Sequence, residues 1–191
     1  MAKTEINNSS TLCRKQMQRS LSEFSSVVAR HITKASVVYE HTPFSDMHPQ
    51  RRGLLLEDIG REMDANETIA PTKKHKQSRA SYDWLRKRYN IRVECKSAQL
   101  SWNKSGWVVH FKNIKVCEFD VLLLCLYTPT SLEYFECKVS DLTTLYSQGK
   151  LMAGGQCLVL RAGKCHWTAA AAAICRQLAT IGTKTGCVKL L

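Results

Sequence analysis

The apolar positions of this chain recur with two periods, and the change of period marks its elements. Leu21, Phe24, Val28 and Ile32 fall at helical spacing and predict a helix over about 15–32. His41-Thr42-Pro43 through Pro49 breaks that pattern, and residues 1–48 read as a polar, partly helical extension. From Arg51 to Asn66 the stripe Leu55, Ile59, Met63, widened by Leu56, predicts a second helix, with Glu62 about 20° from Leu55 at its border. Period-two alternation then takes over. Tyr82–Leu85 and Ile91–Lys96 read as two strands joined by the polar link 86–90, a hairpin. Trp107–Phe111, the almost wholly apolar Phe119–Tyr127, Leu132–Lys138 and Gln156–Arg161 predict further strands. A short helix is expected to begin at Val139, and alanine-rich Trp167–Ala179 predicts a final helix. Strands interspersed with flanking helices indicate an α/β or α+β domain, a central mixed β-sheet with helices against it, over residues 49–191.

Side chains alternate across a strand, so Arg92, Glu94 and Lys96 share one face while Ile91, Val93 and Cys95 take the other. Asp83 on the neighbouring strand can bring a second carboxylate to the same place. Two carboxylates and a lysine on a rigid sheet form a candidate site for a hard divalent cation and an activated water.

Charge sharpens that reading. The 191 residues carry a formal net charge of +12. Between Lys73 and Lys115 stand twelve lysines and arginines and two acids, Asp83 and Glu94. A basic field around an acidic pair suits a polyanionic substrate such as nucleic acid. The nine cysteines include no C-x-x-C pair, and several lie in apolar runs, which favours free thiols in a reducing compartment over a disulfide framework or a zinc site. No apolar run approaches the roughly 20 residues of a membrane span, and the N-terminus lacks an apolar signal core. The expectation is a soluble intracellular protein with no membrane partner. The Ser-, Arg- and Lys-rich start leaves an organellar transit segment open.

The order of helix, Asp83, hairpin, Glu94-Cys95-Lys96, further strands and helix resembles the PD-(D/E)xK nuclease superfamily, which includes restriction endonucleases and archaeal-type Holliday-junction resolvases. Gly60-Arg61-Glu62 is similar to the helix glutamate of many members, and Tyr82 stands where proline is usual. The Pro71-interrupted segment between Glu62 and Asp83 leaves little room for the usual first strand. The resemblance implies a restriction-endonuclease-like core and a Mg²⁺-dependent (or Mn²⁺-dependent) endonuclease acting on double-stranded DNA. In that reading Asp83, Glu94 and the backbone carbonyl of Cys95 hold the metal. Lys96 assists the water and the phosphate, and Glu62 completes the catalytic set. Arg86, Lys87, Arg88, Trp102 and Lys104 are then candidates for gripping the nucleic-acid backbone. Whether two copies pair to cut both strands stays open.

Asp120 with Glu136-Cys137-Lys138 repeats the pattern as a rival triad, with fifteen residues between the acids where the first triad has ten, in a neighbourhood made acidic by Glu133 and Asp141. The basic surroundings favour the first triad. A non-catalytic basic nucleic-acid-binding domain is the alternative function, and an RNA-binding surface using Tyr89, Trp102 and Trp107 is a third.

Overall fold

A computed structural model describes residues 36–40, 42–70, 82–147, 151–152 and 157–190. The chain divides into two compact units, 1–38 and 39–191, and of the first only residues 36–38 are among those described. The helix expected over 15–32 and the basic run Lys73–Arg79 lie outside the described residues.

The second unit is built on two sheets. The larger takes the order β1 (Thr68–Ile69), β2 (Trp84–Arg86), β3 (Ile91–Gln99), β6 (Val121–Tyr127), β7 (Ser131–Lys138), β10 (Thr183–Lys189). The smaller takes the order β4 (Ser101–Asn103), β5 (Gly106–Phe111), β9 (Cys157–Gly163), β8 (Leu151–Met152). All neighbouring strands are antiparallel except β3 and β6, which run parallel in the register Val93↔Val121 to Gln99↔Tyr127. With the described helices α1 (Pro49–Glu62), α2 (Val139–Ser147) and α3 (Trp167–Ala179), the unit is a mixed α+β domain.

Position in the sheet explains composition. β6 lies between β3 and β7 and every one of its seven residues is buried, so its sequence is a continuous apolar run. β10 closes the edge and is mostly exposed, with only Gly186 and Val188 half-buried. Its Lys184 and Lys189 are the kind of edge charge that discourages pairing with another chain.

α1 starts at Pro49 behind the His48 cap, and its buried residues are Leu56 and Gly60. The stripe expected to face the core was Leu55, Ile59 and Met63, yet Met63 is exposed. The helix is rotated because Gly60 lets its backbone settle onto the sheet. A Cβ there would lie 3.0 Å from both the Leu123 and Tyr134 side chains. The Tyr134 hydroxyl fixes the contact by donating to the Leu56 carbonyl at 2.9 Å. Gly53, one turn before Leu56, faces Ser97 of β3. α3 buries Ala170, Ile174 and Leu178 at four-residue intervals and bridges the sheets, packing on β5 and β9 of one and on β7 and β10 of the other. Among the described residues no helix is long and apolar enough to cross a membrane.

Most expected elements are present. Strands β4 and β10 and the split into two sheets were not foreseen. Of the segment before Asp83, the described residues include a two-residue strand, β1, paired to β2 as Thr68↔Arg86 and Ile69↔Leu85.

Candidate active site

The hairpin β2–β3 builds the site. Its turn, Lys87–Asn90, ends on Asn90 with φ of 52°, a left-handed conformation that asparagine tolerates better than most residues. The register Trp84↔Val93 sets Asp83, in the bend just before β2, across from Glu94. Asp83 is held at both ends: its N–H donates to the Val93 carbonyl at 2.8 Å, and its Oδ2 accepts from the Cys95 N–H at 2.7 Å. That second bond takes up a β3 amide beyond the end of β2.

Glu94 and Lys96 point the same way from β3, and the Lys96 ammonium donates to Glu94 Oε1. The Glu94 side chain is 10% exposed and that of Lys96 is 22% exposed. Burial pushes the Glu94 carboxyl up to about 7, the nearby Asp83 charge pushes in the same direction, and Lys96 only partly offsets the two. Glu118, in the turn that leads into β6, adds a further acidic contribution. The carboxylates around Lys96 thus outnumber its one ammonium, and two carboxylates held side by side are the donor chemistry of a hard divalent cation. Asp83, Glu94 and the Cys95 carbonyl fit such an ion by charge and ligand type. Among the described residues, no group of three or more His, Cys, Asp or Glu side chains is gathered closely enough to hold a metal by side chains alone.

Cys95 turns to the opposite face and is buried, with its thiol pushed well above the ordinary range by desolvation and then by Cys125. Glu57 acts on that same thiol, whereas Glu62, the last residue of α1, is exposed. The rotation of the helix that buries Gly60 also moves Glu62 away from the expected inward position.

The expected nucleic-acid contacts are dispersed. Arg86, placed among them for its charge, is instead drawn inside: its Nε donates to Asp64 Oδ2 at 2.8 Å and its two terminal nitrogens donate to Glu136 at 3.2 and 2.5 Å. Lys87 pairs with Glu67 on the surface, and Arg88 lies over the Tyr89 ring. Trp102 meets Trp107 edge-on with ring centroids 5.2 Å apart, and Lys104 is exposed in the β4–β5 turn.

Both acids of the rival triad have arginine partners. Asp120 receives the Arg92 guanidinium through both oxygens, at 2.8 and 3.1 Å, as well as the Arg92 backbone N–H at 2.8 Å. Glu136 receives Arg86. Sequence reasoning missed Asp64, Glu57 and Glu118. The first two have no spacing signal toward the hairpin, and Glu118 is brought near Glu94 only by the β3–β6 parallel pairing. Comparison with protein-family models, with characterised proteins and with solved structures finds no match for this chain.

Proposed function

We propose that this chain is a divalent-cation-dependent endonuclease on a restriction-endonuclease-like core, hydrolysing phosphodiester bonds of duplex DNA. One observation carries the reading: Asp83, in the bend before β2, lies across from Glu94 of β3, and Lys96 is on the same strand face as Glu94. Asp83, Glu94 and the Cys95 carbonyl would hold Mg²⁺ or Mn²⁺. When bound, the ion offsets charge on the scissile phosphate and acidifies water.

The protein's own residues do the rest. The Cys95 amide orients the Asp83 carboxylate, so that group is in place before substrate arrives. Burial of Glu94 keeps bulk water from screening its charge. Lys96 offers its ammonium to a phosphate oxygen or to the attacking water, and a 5′-phosphate product follows from the resemblance. Exposed Arg88 and Lys104 remain available to the nucleic-acid backbone. All eight described cysteines are free thiols, which supports an intracellular setting.

The Lys96–Glu94 ion pair favours a second reading, a basic nucleic-acid-binding domain whose site is internally neutralised. Incubation with supercoiled plasmid and Mg²⁺ decides between them. Nicking by the wild type, lost in Asp83→Asn and Lys96→Ala with DNA binding retained, supports the nuclease. Retained DNA binding without Mg²⁺-dependent nicking by the wild type supports the binder.

A further inference from the structure

On the face of the large sheet opposite Glu94 and Lys96, a cavity of about 220 Å³ lies beyond the end of α1, and Asp64, Arg86 and Glu136 line it. Its charges are satisfied from within. Asp64 accepts four hydrogen bonds, two from Asn66 at 3.0 and 2.7 Å, one from the Trp84 indole at 3.1 Å and one from Arg86 at 2.8 Å. Its side chain is only 2% exposed.

The span of this network is unusual. Arg86 belongs to β2 and Glu136 to β7, with β3 and β6 between them. Strands sit about 4.8 Å apart, so in a flat sheet these two would be separated by roughly 14 Å. Side chains leave a sheet roughly perpendicular to it, so the 2.5 Å contact exists because the sheet curls toward this face. Glu136 therefore ties β2 to a strand three places away, and Asp64 ties it to the segment that follows α1.

The backbone pairing of β2 is short. The strand is three residues long, with three register pairs to β3 and two to β1. Trp84 is fully buried and, with about 150–250 Å² removed from water at roughly 25 cal/mol per Å², contributes on the order of 4–6 kcal/mol. Trp84 directly follows Asp83, and its indole bonds to the same Asp64 oxygen that takes Arg86.

We infer that Arg86, clamped between Asp64 and Glu136, is a positioning residue that sets Asp83 from the far side of the sheet. It touches neither substrate nor ion. It fixes the path of β2, and β2 delivers Asp83 to the Cys95 amide and to Glu94. The functional meaning of this placement rests on the nuclease reading, but the placement itself has a separate readout. The Cys95 N–H is bonded to Asp83 Oδ2, so its hydrogen exchange reports whether Asp83 is seated, with or without metal.

The test is amide exchange by NMR alongside Mn²⁺ titration, on wild type, Arg86→Met and Leu178→Ala, the last a core truncation on α3 away from β2. Arg86→Met is expected to accelerate Cys95 exchange about tenfold or more relative to Leu124 of β6, and to weaken Mn²⁺ about tenfold, the usual size of an outer-shell loss. Leu178→Ala is expected to leave the Cys95-to-Leu124 ratio unchanged, which separates positioning from general loss of stability. Glu136→Gln, which removes the charge and replaces one of the two acceptor oxygens facing Arg86 with an amide NH2, should move the ratio in the same direction and serves if Arg86→Met does not fold. Wild-type protection of Cys95 in the Arg86 and Glu136 variants overturns the inference. A raised ratio in a protein whose wild type binds no Mn²⁺ leaves the clamp standing and removes the nuclease reading instead.

Discussion

Asp83 sits opposite Glu94 across the β2–β3 pairing, one register step beyond Trp84↔Val93, and the Glu94 carboxyl is raised by its burial and, after that, by the Asp83 charge. A folded-state value of about 7 against an ordinary 4.5 means the native protein holds a proton that the unfolded chain has already released across that interval. The contribution is thus fully favourable below about 4.5 and is lost as pH rises toward about 7. In thermal unfolding without divalent ions, wild type should lose more stability between pH 5 and pH 7.5 than Asp83→Asn does, because the asparagine removes the repulsion yet still offers an acceptor to the Cys95 amide. Adding Mn²⁺ at pH 7.5 should restore Tm in the wild type only. Identical pH slopes in the two proteins would contradict this electrostatic account.

Lys96 is the counter-charge to a carboxylate that is nine-tenths covered. Lys96→Met should therefore destabilise the fold by about 1–3 kcal/mol in urea at neutral pH, the cost of stranding a largely buried hydrogen-bonding charge. Coupled mutation offers the check: adding Glu94→Gln to Lys96→Met should recover most of that loss, whereas additive losses would show that the pair is not the source.

Asp120 belongs to the rival triad, and its partner Arg92 is also on the surface. The Asp120 carboxyl is held below its usual range chiefly by the Arg92 side-chain hydrogen bond. Its stabilisation is present above the unfolded value and is lost as pH falls through the lower folded one. Both groups are about 40% exposed, so Asp120→Asn should cost no more than about 1 kcal/mol and flatten the acid limb of the stability curve. Plasmid nicking should be unchanged. A loss of nicking comparable to that of Asp83→Asn would move the active site to this second triad.

Gly60 sits in a helix where alanine would ordinarily gain about 1 kcal/mol. Here the added Cβ would meet Leu123 and Tyr134 at 3.0 Å, and Tyr134 is pinned by its bond to the Leu56 carbonyl. Gly60→Ala should accordingly destabilise by about 1–3 kcal/mol, the usual cost of overpacking, visible as a lower urea midpoint with an unchanged slope. A stabilised variant would mean that α1 can lift away from the sheet at little cost.

The amino-acid sequence by itself determined the elements that depend on near neighbours: the buried strand Val121–Tyr127, the alanine-rich helix Trp167–Ala179, the hairpin, and the side-by-side placement of Glu94 and Lys96 on one strand face. These follow from backbone period, and period is a local property of the chain. Tertiary structure alone decided where the charges went. Arg86 and Arg92 have the same side chain and flank one hairpin, yet Arg86 is drawn into a clamp with Asp64 and Glu136 while Arg92 neutralises Asp120 at the surface. Glu62 is exposed at the end of α1 because a glycine contact rotated the helix. A charged side chain chooses among partners tens of residues away by distance and burial, and both quantities exist only after the sheet has curled and the helix has docked.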